Sequence, residues 1–393
     1  MNTPFDVIIV GAGPAGSSAA IALASRGWHV ALMEKQTFPR DKLCGEFISP
    51  EGISDFARLG VLPALLKKEP APVHRVRVTL SADHQVRIEL PEFGWGLSRY
   101  ALDQVLFEHA RALGVECHEN SPVHTIKGDL ERGFRVEVGP QSSSRVVLKA
   151  KTVIAATGRW SNVPRDPLHA VHGRKRLKRF VGIKAHFQGE PNLDDAVELH
   201  FFQAGYCGLN RIEGGEINLC ALVEEEFATR FARSWEALIE AAAGQNPHLD
   251  NRIRAMRRSS EFLVTSPVIF QKRERILRDI FMVGDAAGFL DPFSGDGIST
   301  AVRSATLASR CIDDVMRGNV SNERTMKNYD RAYQSEFGRR FLFSRIIRNA
   351  LSLGGIPPAF SRLQARIPAL GKWVVRQTRG EVSGAGCQVS RER

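Results

Sequence analysis

Long apolar runs are missing from this sequence, and so is any pattern of paired cysteines. No uncharged apolar stretch in its 393 residues reaches the roughly 18 needed to span a bilayer, so no transmembrane helix is predicted. The start, Met1-Asn2-Thr3-Pro4-Phe5-Asp6, has no basic segment, and the run from Val7 to Val10 is too short for the core of a secretory signal. The cysteines (Cys44, Cys117, Cys207, Cys220, Cys311, Cys387) are far apart, without a CxxC pair or histidines at ligand spacing. That spacing argues against a disulfide scaffold and against a zinc or other metal site, and it fits a reducing cytoplasm. The histidines are scattered and form no Ser, His and Asp arrangement, so none is given a role. No aromatic platform interleaved with basic residues points to nucleic acid.

What the sequence does have is size, charge and glycine in particular places. With 43% hydrophobic residues and a mean hydropathy of −0.19, the chain can bury a large core as two domains or one composite domain. Formal net charge is +11. From Arg331 onward there are twelve Lys and Arg against three Asp and Glu, and a second basic knot, HGRKRLKRF, covers residues 172–180. Each cluster reads either as a solvated basic face or as a surface for an anionic partner such as a membrane.

The chain opens DVIIVGAGPAGSSAAIALASRGWHVALMEK, a β-branched run, a glycine turn, an alanine-rich helix and a second apolar run closed by an acid. Gly11 allows the tight turn, Gly13 lets a pyrophosphate approach the backbone, and Gly16 permits close packing of helix on strand. The phosphates then meet the positive end of a helix starting near Ala15, and Glu34 is placed to accept ribose hydroxyls. This predicts a Rossmann-type α/β nucleotide-binding domain, without separating NAD from FAD.

A second glycine-rich stretch, GDAAGFLDPFSGDGISTA at residues 284–301, follows another apolar strand. Asp285 at that strand's end can bind a sugar or ribityl hydroxyl, and amides at a helix start near Gly297 can hold a heterocycle oxygen. A long cofactor with two polar ends, such as FAD, would need both loops. The reading of the whole chain is then a discontinuous FAD-binding domain from residues 1–75, 95–165 and 271–335. An inserted, mostly antiparallel substrate sheet covers 76–94 and 166–270, with a hairpin at Gly214-Gly215. Basic C-terminal helices and a tail fill 336–393, and their amphipathic pattern suits either packing or peripheral membrane contact.

Together, GAGPAG with Glu34, the segment FPRDKLCGE at 38–46, the helix from Arg99, Thr157-Gly158 followed by Ser161, and GDAAGFLDPFSGDGI resemble the geranylgeranyl reductase family of FAD oxidoreductases, within the wider class of aromatic hydroxylases and flavin halogenases. The resemblance implies that Gly11, Gly13, Ala15 and Gly16 hold the pyrophosphate and Glu34 the adenosine ribose. It sets Lys35 and Arg40 beside the adenosine or phosphates, Arg99 along the cofactor, Asp285 at the ribityl or pyrophosphate region, Gly297 and Ile298 at the flavin pyrimidine, and Pro292 near the ring. Three departures accompany it. Thr157 stands where hydroxylases carry an acid, which argues against rapid direct reduction by NADPH and leaves NADPH or another redox partner as the electron donor. At Tyr206-Cys207-Gly208-Leu209-Asn210-Arg211 only the tyrosine of the reductases' lipid-lining segment survives, so Gly208, Asn210 and Arg211 are expected to make a wider, more polar pocket. No WxWxIP stretch marks a halogenase.

Cys44 is the candidate proton donor, against the reading of a small inert hydrophobe, and Tyr206 the second candidate, against a structural hydroxyl. The flavin would do the difficult chemistry. Hydride transfer to or from an apolar, lipid-like or polyketide-like metabolite is the first expectation, with monooxygenation as the alternative. A non-catalytic carrier is the remote third, because the same fold resembles GDP-dissociation inhibitors and Rab escort proteins.

Overall fold

The computed structural model describes residues 4–81, 84–140, 145–159, 178–270 and 273–351. The expected Ser161, most of the 172–180 basic knot and the tail beyond 351 lie outside the described residues.

In chain order, β1 (Phe5–Val10), α1 (Pro14–Ala24) and β2 (Val30–Met33) make the opening unit, followed by β3 (Phe47–Ile48), α2 (Pro50–Arg58) and α3 (Leu62–Leu66). Two long strands, β4 (Ala71–Ser81) and β5 (His84–Gly96), lead to α4 (Arg99–Ala112), β6 (Glu116–His118), β7 (Val123–Asp129), β8 (Gly133–Val138) and β9 (Val146–Ala155). The middle of the chain supplies β10 (Phe180–Gly189), β11 (Ala196–Phe202), β12 (Gly205–Arg211), β13 (Ile217–Glu224), α5 (Glu225–Ala228), α6 (Trp235–Ala243), α7 (Pro247–Arg254), β14 (Met256–Arg258) and β15 (Leu263–Val268). It closes with β16 (Ile276–Leu277), β17 (Ile280–Met282), α8 (Gly297–Met316) and α9 (Asn322–Leu351).

The first sheet has the order β16-β17-β9-β1-β2-β6, with β7 and β8 attached beyond β9. Its centre is parallel: Ile9 pairs with Leu32 of β2 and Ile154 of β9, and Phe281 of β17 pairs with Ile154. These strands are buried on both faces, which explains their unbroken apolar sequences. Helix α1 is mostly Ala, Ser and Gly, and ten of its eleven residues are buried. Small side chains let it lie close to β1 and to α8, where Ser309 Oγ donates to Ala19 O at 3.5 Å. Three distant parts of the chain therefore end side by side, at Val10, Ala155 and Met282.

The second sheet runs β14-β10-β13-β12-β11-β4-β5-β3, with β15 also on β10. It is antiparallel except for the parallel β11–β4 pair. Alternation along the strands separates its two faces. Ile183, Ala185, Leu209, Leu219 and Ala221 pack outward with Leu238, Ile239 and Leu249 of α6 and α7. Lys184, His186, Asn218, Cys220 and Tyr206, one residue out of phase, turn to the nucleotide-binding side.

Two expected boundaries need correction. β4 begins at Ala71 and β5 ends at Gly96, so the second sheet takes 71–96 rather than 76–94, and also Phe47–Ile48. The boundary at 335/336 falls inside α9. That helix buries Tyr329, Tyr333 and Phe337, and Tyr329 donates its hydroxyl to Met282 O at 2.6 Å, so it belongs to the nucleotide domain. The helix expected to start near Gly297 does so and runs to Met316.

Candidate functional site

The first glycine loop is fixed by contact with its neighbours. Gly11 has φ +99°, and a Cβ there would sit 2.5 Å from Ala156 O; a Cβ on Gly16 would sit 1.7 Å from Gly11 O. Neither position admits another residue. Gly13 differs, because a Cβ would meet only the Arg99 guanidinium, at 3.5 Å. No side chain caps α1 and no acid lies in its first turn, so the first amides of the helix, at its positive end, are left for another partner.

Carboxylates and cations surround that loop. Glu34 is buried; Oε2 accepts from Ala12 N at 3.0 Å and Arg40 at 3.0 Å, and Oε1 from Gln36 N at 3.1 Å. Arg40 also donates to Asp103 at 2.8 Å, and Arg99 grips Asp103 with two bonds of 2.7 Å. Burial opposes the charge of Arg99, but Asp103 more than offsets this and raises its pKa. For Lys42 the offset is too small: burial, then Arg40, push its pKa down, Glu34 pulls it partly back, and with Lys35 and Arg99 it falls to about 8. Lys35 itself is exposed. Arg40 and Arg99 are paired with Glu34 and Asp103, and Lys35 and Lys42 add further positive charge near the uncapped amides, a setting that suits a pyrophosphate.

The late loop meets this site directly. Val283 N donates to Ala155 O at 3.0 Å, and a Cβ on Gly284 would lie 2.9 Å from Ala15 Cβ. Asp285 follows. Burial raises its pKa against the pull of Arg159, Arg99 and Arg273. Beyond it, Asp291 accepts from Phe293 N, Pro292 opens a short turn, and Gly295 at φ +66° redirects the chain into α8. Pro292 and Gly297 are exposed, and a Cβ on Gly297, Gly45 or Gly158 would meet nothing within 4 Å. Thr157 Oγ1 is buried without a hydrogen-bond partner. Open glycine backbone, an orphaned hydroxyl and two uncapped helix starts fit a long polar cofactor with two ends.

Cys44 lies at the junction of the two sheets. Its Sγ accepts from Glu46 N at 3.4 Å, its carbonyl accepts from Asn218 at 3.2 Å, and the Arg99 guanidinium is near enough to interact electrostatically with the thiol. Glu46 is wholly buried at φ +53°, a strained conformation for a non-glycine residue. Lys184 holds its Oε1 at 2.6 Å, His186 its Oε2 at 2.7 Å, and Arg99 N donates to Oε1 at 2.7 Å. Asp41, Glu46 and His186 bring ligand atoms within 4.8 Å of one another, yet the Lys184 ammonium, also 3.3 Å from Asp41, stands among them as their cation. Neighbouring Cys220 is pushed up to about 12 by burial and stays protonated.

Tyr206 lies apart from this cluster in its bonding. Its hydroxyl donates to Asp291 at 3.1 Å, and burial drives its pKa well above 10. Phe201 and Phe293 flank its ring. The expected widening at Gly208, Asn210 and Arg211 needs correction. A Cβ on Gly208 would make ordinary contacts at 3.6 Å with Leu199 and Cys220. Asn210 is buried and donates to Glu46 O at 3.4 Å, while Arg211 binds Gly215 O and Glu190. Asn210 and Arg211 support the junction.

Sequence reasoning missed Lys42, Glu46, Asp103, Lys184, His186 and Asp291. One signal was available: Lys184 and His186 stand at alternate positions in the otherwise apolar strand FVGIKAHF, which marks a polar patch on one face.

A parallel nucleotide-binding sheet with two converging glycine loops, roofed by a second sheet, defines a flavoenzyme of the class that contains aromatic hydroxylases and halogenases. The chain belongs to the FAD binding domain family, which matches it over residues 4–335. It is a flavin-dependent enzyme with FAD as cofactor. Among curated proteins it is 26% identical to conditioned medium factor receptor 1 of Dictyostelium discoideum over 368 residues (86% of this chain, 69% of that protein). It is 27% identical to digeranylgeranylglycerophospholipid reductase 2 of Methanopyrus kandleri over 356 residues (86% and 85%). A solved flavin-dependent brominase carrying three substitutions superposes with a TM-score of 0.81 at 20% identity, over 98% of this chain and 96% of that one. Reductases and halogenases are equally prominent, so the reductase resemblance holds at the level of the wider class.

Proposed function

We propose that this protein is an FAD-dependent reductase that saturates a carbon–carbon double bond of an apolar metabolite, with Cys44 as proton donor. The observation that carries this reading is the setting of the Cys44 thiol, at the sheet junction under the Glu46 amide and beside Arg99, which reaches to Gly13.

In this reading Gly11, Gly13, Ala15 and Gly16 take the pyrophosphate, Glu34 the adenosine ribose with Arg40 behind it, and Asp285 the ribityl side. Lys35 and Lys42 add positive charge near the phosphates. Gly297 and Ile298 offer amides to the flavin pyrimidine, with Pro292 nearby. Bound and reduced, the cofactor supplies a hydride. Cys44 holds the proton at Sγ and delivers it to the neighbouring carbon, so the π bond of one C=C is replaced by two new C–H bonds and a C–C single bond remains. The thiolate left behind is stabilised by Arg99 and the Glu46 amide. Tyr206, bound to Asp291 and held weakly acidic, orients the Pro292 turn. Electrons come from NADPH or a redox partner protein. Peripheral attachment to an anionic membrane is part of the proposal, supported by exposed Leu342 and Ile346 beside Arg339 and Arg345 on α9.

The test uses digeranylgeranylglycerophospholipid and menaquinone as probes in deuterated buffer, under anaerobic conditions, with dithionite-reduced protein. Product gaining two solvent deuterons per double bond, one through the solvent-exchanged flavin and one through Cys44, with product lost in Cys44→Ala while FAD stays bound, supports the reading. Unchanged deuteration in that variant removes Cys44 from the role. The halogenase-like fold favours a second reading, oxygenation of the same kind of substrate, which the closing experiment of the Discussion separates.

A further inference from the structure

Helix α8 begins in an unusual way. Asp296 occupies its N-cap position, and aspartate is among the residues that best satisfy the first amides of a helix. Here it makes no capping bond, and its backbone, at φ −109° and ψ 9°, lies outside the extended region a capping residue adopts. Its carboxylate is turned aside, with Oδ2 accepting from Arg340 Nη1 of α9 at 3.0 Å. Asp296 is fully buried and Arg340 only 4% exposed. Arg340 is itself aimed by Glu336, which accepts from its other nitrogen at 2.6 Å and from Arg303 at 3.0 Å, while Arg303 reaches Asp55 at 2.7 Å. The guanidinium also lies over the Phe337 ring at 5.2 Å. An alternating chain of charges thus runs from α2 through α8 and α9 to the loop before Gly297.

We infer that Arg340 is a positioning residue for the flavin site: by pairing with Asp296 it keeps the first amides of α8 open and cancels a carboxylate's charge beside them. This rests on the reading that Gly297 and Ile298 seat the flavin pyrimidine. Without the guanidinium, the carboxylate either turns to cap α8, competing with the cofactor for the same amides, or stays charged where reduced flavin gathers negative charge. Both outcomes weaken binding of the reduced cofactor more than of the oxidised one. The C-terminal helix, far along the chain from either glycine loop, therefore tunes the flavin.

The test measures the reduction potential and FAD dissociation constant of holoprotein carrying Arg340→Gln, Asp296→Asn, or both. Arg340→Gln is expected to lower the preference for reduced over oxidised flavin at least tenfold, about 30 mV for a two-electron couple. Asp296→Asn, which removes a negative charge beside these amides while Glu336 still holds Arg340, is expected to shift the potential the opposite way. The double variant returns toward the wild-type value, and Arg340→Lys rescues in part. Lower melting temperatures with an unchanged potential in both single variants would reduce the pair to a structural bridge and overturn the inference. Amide hydrogen exchange at residues 297–299 of the wild type, with and without FAD, separates the two layers. Unprotected amides would refute the seating; protected amides with an unmoved potential would refute only the role of Arg340.

Discussion

Lys42 gives the sharpest test of where the phosphates go. Burial and the cations of Arg40, Lys35 and Arg99 press its pKa down to about 8 in the cofactor-free protein. A bound pyrophosphate favours the charged form and raises it again. If the charged form is the one that binds, Lys42 is mostly protonated at pH 7 and about one-tenth protonated at pH 9, so the FAD dissociation constant rises about tenfold, or about 1.4 kcal/mol, over that span. Stability of the FAD-free protein moves the other way. The folded pKa lies below the unfolded one, so between pH 8 and about 10.4 the unfolded chain binds more protons and this group's contribution to folding grows as pH rises. Titrating apoprotein with FAD by flavin fluorescence at fixed ionic strength, from pH 7 to 9, reads the first trend, and calorimetry in buffers of different ionisation heat reads proton uptake. Lys42→Met should bind more weakly at pH 7 and flatten the curve. A flat wild-type curve, or an unchanged slope in the variant, would place Lys42 away from the phosphates.

Gly16→Ala should abolish FAD binding and destabilise the fold by about 3 kcal/mol in a denaturant titration, because its Cβ would enter Gly11 O. Lys184→Met should cost about 3–5 kcal/mol by leaving buried Glu46 without its ammonium, and Glu46→Gln in the same protein should recover part of that loss; equal melting of single and double variants would show that the pair is not coupled. Vesicles with anionic lipid should co-sediment the full chain and release it in high salt, and deletion of residues 352–393 should weaken binding. Binding unaffected by salt and deletion would contradict the membrane proposal.

How much of this was legible in the sequence follows from how locally each feature is determined. Gly16 leaves a mark because the backbone of Gly11, five residues earlier, leaves no room for a side chain, and Gly11, Gly284 and Gly295 leave one because each turns the chain at positive φ. The partnership of Glu46 with Lys184 spans 138 residues, and that of Asp296 with Arg340 spans 44. Neither can be read until strand register and helix packing bring the groups together. Lys42 in FPRDKLCGE looks like any solvated lysine, since its cationic neighbours gather only in the folded chain. Asn210 and Arg211 were misread for a related reason: an outline of substituted residue sizes does not show that one side chain supports Glu46 O and the other reaches Glu190.

The central claim, reduction by hydride and proton, is tested most directly by mixing anaerobically reduced holoprotein with the digeranylgeranylglycerophospholipid probe, then with oxygen, while following flavin absorbance and product mass. The account predicts that the probe alone reoxidises the flavin in a single phase and that the product is heavier by two hydrogens. A probe that leaves the flavin reduced until oxygen arrives, followed by a transient absorbance and a product heavier by one oxygen atom, would contradict it and establish the oxygenase reading.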